Sequence, residues 1–450
     1  MLSAGCALPG IALPGIQVFL DFKCVYAYTD MRCDLQYPGG PGNEMEGEVM
    51  GYTGINLENV KVSNRSAILK LLNDHGAMSR KDIALELGLT PATVTLICTQ
   101  LLSAGILVEK GEMEEEKRAG RKKVSIDINY QYKYVLSVSI EAPETCISIS
   151  DLKGRLIAGR KLKTDGALEP QVFLKQVADE GKSLMWEQGI SKESVLGAGI
   201  SLPGPVKRDT GVSLHAYRIW NEAVPVGEYM KMYLDLPVVV ENNVKAFAEG
   251  ELIYGTGKNQ ENLLFIKWGP GVGSAIIIQN KIYDSQNSKT AEIGHYIVEP
   301  GGLPCRCGRR GCLETHVATH AMAERVRRAC TKESMPGLYA FVDGDVEKIE
   351  VRNMEQWIEI EDPGLQKIID DIVERLARTV VNTITLLAPD KVIIYGFMFE
   401  MDHIQKRFLD FCTYYDSLYD GDYILKSGLS DRIGYIGPLA IVVNEMFLGM

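Results

Sequence analysis

Apolar residues recur with a helical period from residue 62 to about residue 107 and predict a helical domain there. After a first helix, Ser79 is expected to cap a second one, because Asp82 follows three residues later as in an imperfect capping box. Thr90 is expected to cap a third helix, with Pro91 at its first position, where a missing N–H is tolerated. A strand, a charged tip and a second strand follow. This order predicts a winged helix-turn-helix, and the alternative is a generic small helical domain.

From residue 134 onward, short apolar and β-branched runs alternate with amphipathic stretches. The runs predict strands at 135–140, 146–151, 196–202, 238–241 and 392–395, and the amphipathic stretches predict helices at 170–188 and 368–387. Strands that alternate with helices over most of a chain are typical of an α/β fold, here in two lobes.

Three parts follow from this pattern. Residues 1–49 show no sustained period and end in a run rich in proline and glycine, so they are a disordered extension or the product of a mis-set translation start. The winged helix-turn-helix takes residues 50–125 and the α/β domain takes residues 126–450. In that domain the expected lobes are about 126–245 with a C-terminal helix at about 436–450, and about 246–435.

Three cysteines and one histidine cluster in a glycine-rich segment of the predicted second lobe. They are His295, Cys305, Cys307 and Cys312. Three thiolates and an imidazole are the ligand set of a closed, four-coordinate zinc site, and Gly308 and Gly311 let the backbone turn tightly between them. Since a closed site has no open position for water, the zinc is expected to be structural. The alternative is three core cysteines with an unrelated histidine.

The other cysteines, of ten in the chain, are scattered. Residues 7–20 are apolar, but no basic residue precedes them and two prolines interrupt them, so they do not fit a signal peptide. No apolar run approaches the roughly 18 residues of a membrane helix. We therefore expect a cytoplasmic chain with reduced thiols and no membrane partner.

The segment around the cysteines reads Glu292-x-Gly294-His295 and then Cys305-x-Cys307-Gly308-x-x-Gly311-Cys312-Leu313-Glu314. It resembles the zinc-and-sugar signature of the ROK family, which comprises repressors, open reading frames and sugar kinases. Further motifs follow the family's order and spacing at 199–206, Trp220, 240–243, 269–273 and 389–396. The resemblance covers roughly residues 55–450. The winged helix, with Asn64-Arg65 opening its first helix and Gly120-Arg121 after the wing, matches the repressor branch, similar to xylose repressors.

The resemblance implies an actin/hexokinase-like fold in which a sugar binds between two lobes. The family's sugar-contacting positions correspond to Asn242, Asn243, Glu292, His295 and Glu314. Carboxylates and amides suit this role, because vicinal hydroxyls need directional donors and acceptors. His295 could bind zinc through one ring nitrogen and offer the other to a sugar hydroxyl.

The chain departs from the kinase members at the catalytic position. They carry an aspartate where this chain has Asn243, and an amide cannot act as a general base near neutral pH. Lys245 replaces the asparagine that follows in the family, which alters the site further.

The two phosphate loops depart as well. The first, at 139–145, has no glycine and carries Glu141 and Glu144, which are expected to repel phosphate. The second keeps its glycines but has Pro270 in place of a threonine, which removes a hydroxyl and an N–H donor. We therefore expect no kinase activity.

The third helix is expected to enter the major groove of DNA through its N-terminal turn. Base contacts are predicted for Thr90, Pro91, Ala92, Thr93 and Thr95. Phosphate contacts are predicted for Arg65, Arg80, Lys81, Arg121, Lys122 and Lys123. The alternative for each basic residue is an ordinary solvated surface.

The formal net charge of −11 seems to count against nucleic acid as a partner. It is unevenly spread, with −5 in residues 1–59, +3 in residues 60–125 and −9 in the remainder. Only the predicted DNA-binding part is positive, so the bulk acidity does not exclude DNA.

Together these features predict a sugar-responsive transcriptional repressor of carbohydrate uptake or catabolism genes, with operator DNA, a sugar effector and a second copy of the chain as partners. The main rival is an active, ATP-dependent ROK sugar kinase with an appended regulatory domain. A third hypothesis is a repressor that a protein partner controls instead of a sugar. The sequence identifies neither the sugar nor the operator.

Overall fold

The computed structural model describes residues 57–112, 124–258, 260–285, 290–419 and 421–449, which all lie in one compact unit, Ile55–Met450. The predicted extension at 1–49 falls outside the described residues. So do the predicted phosphate contacts Arg121, Lys122 and Lys123.

The first domain has three helices and a small antiparallel sheet. Its elements are α1 (Leu57–His75), β1 (Met78–Ser79), α2 (Arg80–Glu86), α3 (Pro91–Ser103), β2 (Leu107–Glu112) and β3 (Val124–Ile128). Strand β3 lies between β1 and β2. Both predicted caps are confirmed, because the Ser79 hydroxyl accepts from the Asp82 N–H and the Thr90 hydroxyl from the Thr93 N–H, each at 3.2 Å.

The first helix begins earlier than the sequence suggests. The prediction that Asn64 and Arg65 open this helix is wrong, since α1 begins at Leu57 and both residues lie in its interior. The turns of α1 before Asn64, residues 57–63, contain neither glycine nor proline, so no residue there interrupts the helix. Val60 and Val62 are 38% and 43% exposed, which is why the apolar period does not reveal these turns.

The first lobe of the second domain is built on a mixed sheet. Its elements are β4 (Tyr134–Ile140), β5 (Glu144–Asp151), β6 (Leu156–Lys163), α4 (Pro170–Glu187), β7 (Val195–Leu202), β8 (Val206–Lys207), β9 (Val212–Ser213), α5 (Val226–Leu234) and β10 (Val238–Asn242). The sheet order is β10-β7-β4-β5-β6, and β4, β7 and β10 run parallel. Apolar residues of α4 and α5 pack on one face of this sheet, while β8 and β9 form a separate hairpin.

The second lobe has its own five-stranded sheet. Its elements are α6 (Asn243–Tyr254), β11 (Leu263–Trp268), β12 (Val272–Ile278), β13 (Lys281–Ile282), α7 (Glu314–Val317), α8 (Thr319–Ala329), α9 (Pro336–Phe341), α10 (Met354–Trp357), α11 (Pro363–Leu387), β14 (Lys391–Tyr395), α12 (Asp402–Tyr415) and β15 (Ile424–Lys426). The sheet order is β13-β12-β11-β14-β15. Helix α11 begins five residues before its predicted start, because the Asp362 carboxylate caps it by accepting from the Gly364 N–H at 3.2 Å.

The chain returns to the first lobe in α13 (Ile436–Val442), which continues as a π-helical turn, Val443–Leu448. Helix α13 packs so closely on β7 that a Cβ at Gly199 would lie 1.9 Å from the carbonyl oxygen of Pro438. Only glycine fits at that position.

Helix α1 joins the two domains. Its Ser66 hydroxyl donates to the Leu448 carbonyl, and its Asn73 amide donates to the Ile253 carbonyl at 3.3 Å. Buried residues of α1, α6 and α13 belong to one apolar core. The first domain is therefore packed directly against the second.

No helix in the described ranges is long and apolar enough to cross a membrane.

Candidate functional site

Residues of both lobes line one cavity, onto which the carboxyl ends of β4, β7, β10 and β11 open. Ligands commonly bind at this edge of a parallel sheet. All five predicted sugar-contacting residues line it, namely Asn242, Asn243, Glu292, His295 and Glu314.

The four predicted metal ligands meet beside this cavity. The ligand atoms of His295, Cys305, Cys307 and Cys312 all lie within 4.8 Å of one another. The Cys307 and Cys312 sulfurs are 3.6 Å apart, and the Cys305 sulfur is 3.5 Å from His295 Nδ1. A tetrahedral zinc with bonds of about 2.3 Å to sulfur and about 2.0 Å to nitrogen would hold such pairs about 3.8 Å and about 3.5 Å apart. The residues present therefore fit a zinc ion.

Tight backbone turns bring these ligands together. Gly308 has φ +86° and its N–H donates to the Cys305 carbonyl at 3.0 Å. Gly311 has φ +72°, and a Cβ there would lie 1.7 Å from the carbonyl oxygen of Glu299. These two glycines thus permit the convergence that the sequence predicts.

His295 connects the cysteine cluster to the cavity. Its Nδ1 faces the sulfur of Cys305, while its Nε2 lies 3.1 Å from the Tyr217 hydroxyl and 3.7 Å from a Glu292 carboxylate oxygen. Burial, together with the nearby charge of Arg309, lowers the pKa of His295 to about 4. The ring is therefore neutral at physiological pH, which is the form that binds metals.

Glu314 lies at the start of α7 on the same side of the cavity. Its Oε2 accepts from the Val272 N–H at 3.3 Å, next to the Gly269–Gly273 loop. Burial raises the pKa of this carboxyl against the opposing effects of that bond and of Arg218 and Arg306. Glu314 is thus a fixed and largely buried polar group at the metal side of the cavity.

Asn242 has a structural role in addition to its position in the cavity lining. Its Oδ1 caps α6 by accepting from the N–H groups of Val244 and Lys245 at 2.9 and 3.2 Å. Its Nδ2 donates to the Gly204 carbonyl at 2.9 Å. The side chain therefore holds β10, α6 and the loop after β7 together.

The opposite side of the cavity contains an unexpected ion pair. Glu141 Oε1 accepts from Asn243 Nδ2 and from Lys267 Nζ, each at 2.7 Å. Glu141, which is expected from the sequence to repel phosphate, thus has a partner that the sequence did not reveal, because Lys267 on β11 pairs with it across the lobes. Glu144 is also paired, with Lys161 at 2.9 Å, and does not line the cavity.

Lys245, which departs from the family pattern, is buried and forms an ion pair with Asp284 at 2.7 Å. Sequence reasoning missed Lys267, which also lines the cavity. A lysine inside the apolar strand β11 was a signal that could have been used, because a buried charge needs a partner.

The exposed face of α3 carries most of the predicted base contacts. Thr90, Pro91, Ala92 and Thr95 are exposed and Thr93 is half-buried. Several hydroxyls already have partners within the helix, since Thr90 and Thr93 bond each other at 2.9 Å and Thr95 donates to the Pro91 carbonyl at 2.7 Å. Leu96, which sequence reasoning missed, is 59% exposed on this helix although it is apolar.

The basic residues around α3 differ in availability. Arg80 forms an ion pair with Glu109 of β2 at 3.3 Å, whereas Lys81 beside it is exposed. Arg65 is half-buried in α1.

Comparison with known proteins agrees with this geometry. The family model described as "ROK family" matches residues 146–445, two thirds of the chain. The chain belongs to the ROK family. A second model, "Winged helix-turn-helix DNA-binding", matches residues 63–108, so this ROK chain carries an N-terminal winged helix-turn-helix domain.

A putative xylose repressor from Caldicellulosiruptor sp. (strain Rt8B.4) is 24% identical over 395 residues, which cover 86% of this chain and 97% of that protein. A glucokinase from Halalkalibacterium halodurans is 32% identical over 212 residues, which cover 46% of this chain and 62% of the kinase. The crystal structure of a ROK family transcriptional regulator, described as a homologue of the Escherichia coli MLC protein, superposes with a TM-score of 0.73 at 22% identity, over 87% of this chain and 97% of that one. The fold is therefore the two-lobed actin/hexokinase-like ROK domain preceded by a helix-turn-helix, as predicted.

Proposed function

We propose that the chain is a sugar-responsive, DNA-binding transcriptional repressor of genes for carbohydrate uptake or catabolism. One observation carries the proposal. A winged helix-turn-helix with an exposed third helix is packed through α1 onto a two-lobed domain. The cavity of that domain is lined by carboxylates, amides and an imidazole that suit sugar hydroxyls, and it has an amide, Asn243, at the position that the resemblance assigns to the kinase aspartate.

The sugar is proposed to bind in this cavity among Asn242, Asn243, Glu292, His295 and Glu314. Carboxylates accept from sugar hydroxyls, and the Nε2 side of His295 reaches the same space. Phosphoryl transfer is not proposed, because Asn243 cannot remove a proton from a hydroxyl and its Nδ2 is already engaged by Glu141.

Zinc is proposed to bind to His295, Cys305, Cys307 and Cys312. A zinc ion there would crosslink the 295–312 loop and thereby fix the orientation of His295 toward the cavity. Four protein ligands leave no open position, so the role is structural.

DNA binding is proposed to involve α3 in the major groove, with Leu96 and the threonine methyl groups against thymine methyls. Arg65, Arg80, Lys81, Arg121, Lys122 and Lys123 remain the proposed phosphate contacts. We expect Lys81 to contribute more than Arg80, which is paired with Glu109. A homodimer in the cytoplasm, with one winged helix on each half-site, is the proposed working state.

The test is fluorescence anisotropy of the full chain on DNA fragments upstream of its own gene and of neighbouring genes, titrated with mono- and disaccharides. We expect one fragment to bind specifically and one sugar to lower that affinity. Glu292→Gln should bind DNA normally and lose the response, whereas Glu222→Gln, an exposed residue that does not line the cavity, should keep it. Absence of specific DNA binding, or binding indifferent to every sugar, would contradict the proposal. In the second case a protein partner becomes the better candidate effector.

An active sugar kinase is the second candidate, favoured by the 32% identity to a glucokinase. A coupled ATP assay with the same sugars separates the two. Steady phosphorylation that disappears in Glu292→Ala would establish the kinase and contradict the loss of catalysis.

A further inference from the structure

The Glu141–Lys267 pair lies in the cavity and determines which kind of ligand group can bind beside it. We propose that Glu141 is a further ligand-contacting carboxylate, and that it makes the site select a free sugar hydroxyl over the phosphate ester of that hydroxyl. The inference rests on the proposed sugar-sensing function and specifies the class of sugar that this function uses.

Glu141 lies in the turn between β4 and β5, where kinase members have their first phosphate loop. It lines the same cavity as Asn243 and Lys267 and is 35% exposed there. Its bonds to both residues reach the same oxygen, Oε1. Among the described residues, the second oxygen, Oε2, has no hydrogen-bond partner, so one carboxylate oxygen remains available to a ligand.

The carboxyl group of Glu141 is charged at neutral pH. Burial alone would raise its pKa, but the charge of Lys267 and the hydrogen bonds from Lys267 and Asn243 outweigh burial and lower it. An ionised carboxylate accepts hydrogen bonds and donates none. Its partner at Oε2 must therefore be a donor.

Asn243 adds a second reason for the ligand to offer a hydrogen-bond donor here. Because its Nδ2 donates one of its two hydrogens to Glu141, its amide is held in one orientation, and its Oδ1 is an acceptor left for a ligand. The two side chains together present two acceptors at the position where kinase members act on a sugar hydroxyl. A hydroxyl can donate to either of them.

A phosphate ester at that position brings acceptors where the site needs a donor. Its oxygens are acceptors and carry charge, so they repel the Glu141 carboxylate and cannot bond to Oδ1 of Asn243. Lys267 offers little net compensation, since Glu141 already neutralises it at 2.7 Å. Lys245 is likewise paired, with Asp284. The part of the cavity that Glu141, Asn243 and Lys267 line therefore favours the free sugar over its phosphate ester.

The experiment is isothermal titration of the full chain with three matched pairs of probes: glucose, mannose and N-acetylglucosamine, each with its 6-phosphate. We expect the free sugar of the best-bound pair to bind at least roughly tenfold more tightly than its ester, as losing one charge-assisted hydrogen bond predicts. Glu141→Gln should weaken the free sugar roughly tenfold and shrink the preference, because the carboxylate charge is gone. Glu141→Asp keeps the charge and should still reject the ester.

Glu144→Gln is the matched control, since it lies in the same turn region but pairs with Lys161 outside the cavity. It should bind both probes as the unaltered chain does. Melting temperature and DNA binding without sugar show whether each variant is folded. The comparison of free sugar and ester in the unaltered chain does not depend on any variant.

An ester that binds as tightly as its free sugar, or better, would overturn the inference while leaving sugar sensing intact, because it would show that Lys267 releases Glu141 to bind phosphate. Unchanged binding in a folded Glu141→Gln chain would overturn it too. If no member of any pair binds, the inference fails, while the proposed function is judged separately by the DNA-binding titration with the wider set of mono- and disaccharides.

Discussion

The two ends of the cavity between the lobes differ in how far their residues match the ROK motifs. At the metal end, Glu292, His295 and Glu314 stand where the family signature places them, beside a cluster that fits zinc. At the opposite end, Glu141 bonds to Asn243 and Lys267, at positions that the resemblance assigns to the catalytic aspartate and the first phosphate loop of the kinases. The first end therefore keeps the residues of the family signature, and the second end departs from the kinase pattern; we call them the retained end and the rebuilt end.

Under the proposed function, this difference means that binding and catalysis in the fold depend on separate groups. The retained end is a set of polar side chains in and next to the loop that carries the cysteines. The rebuilt end is a pair of opposite charges that ties one lobe to the other. A change of activity at one end therefore need not change recognition at the other.

Of the changes considered, loss of the metal should have the largest effect on sugar binding. Cys307→Ser, or treatment with a strong chelator, is expected to abolish zinc content and sugar binding together, because His295 is then no longer fixed toward the cavity. Metal analysis and calorimetry measure both. Cys146→Ser, in β5 and away from the cluster, should change neither. Full sugar affinity in a zinc-free chain would show that sugar binding does not depend on zinc holding His295 in place.

Glu314→Gln probes the retained end without removing the metal. The neutral amide keeps a carbonyl acceptor for the Val272 N–H but loses the charge, so sugar affinity should fall roughly tenfold, with DNA binding unchanged. Calorimetry and anisotropy test these two effects. Equal sugar affinity in the variant would place the ligand away from Glu314.

Lys267→Met probes the rebuilt end through stability. It leaves the Glu141 carboxylate without its cation, and since solvent reaches about a third of that side chain, we expect a loss of about 1 kcal/mol at pH 7. Lys161→Met, which breaks the exposed pair with Glu144, should cost clearly less, because solvent screens that pair. Urea unfolding of both variants measures the difference.

The pH dependence gives the same variant a second readout. In the unaltered chain the pKa of Glu141 is lowered in the folded state, so its contribution is present above the ordinary value of 4.5 and is lost as pH falls below it. Without Lys267, burial dominates and the pKa rises, so stability should instead decrease as pH increases through and above 4.5. Parallel pH profiles for the two chains would contradict the pairing.

Asn243→Asp should have the smallest effect. The new carboxylate would lie beside Glu141, in place of the amide that now donates at 2.7 Å, and the repulsion should lower stability by less than about 1 kcal/mol because Lys267 remains. We expect no ATP-dependent phosphorylation in a coupled assay, since the ion pair still fills the phosphate side. Sustained activity would show that only the aspartate was missing.

The sequence predicts the retained end well because its parts are local. His295 and Cys305 are ten residues apart and Cys307 and Cys312 five, with glycines that allow the turns, and the Ser79 and Thr90 caps are local too. The rebuilt end joins residues 102 and 126 positions apart in different lobes. No periodicity or spacing encodes such a pair, so Glu141 was identified as a charge but its partners were not. The start of α1 was missed for another reason, because Val60 and Val62 in its first turns are exposed and extend no buried apolar face.

The packing of α1 against the π-helical turn, Val443–Leu448, has a thermodynamic consequence. If sugar in the cavity weakens operator binding by some factor through this contact, operator DNA must weaken sugar binding by the same factor. An affinity measured on the free protein would then overstate how tightly the operator-bound chain holds its sugar. In the proposed repressor, the concentration of sugar that relieves repression would therefore depend on the operator sites as well as on the sugar.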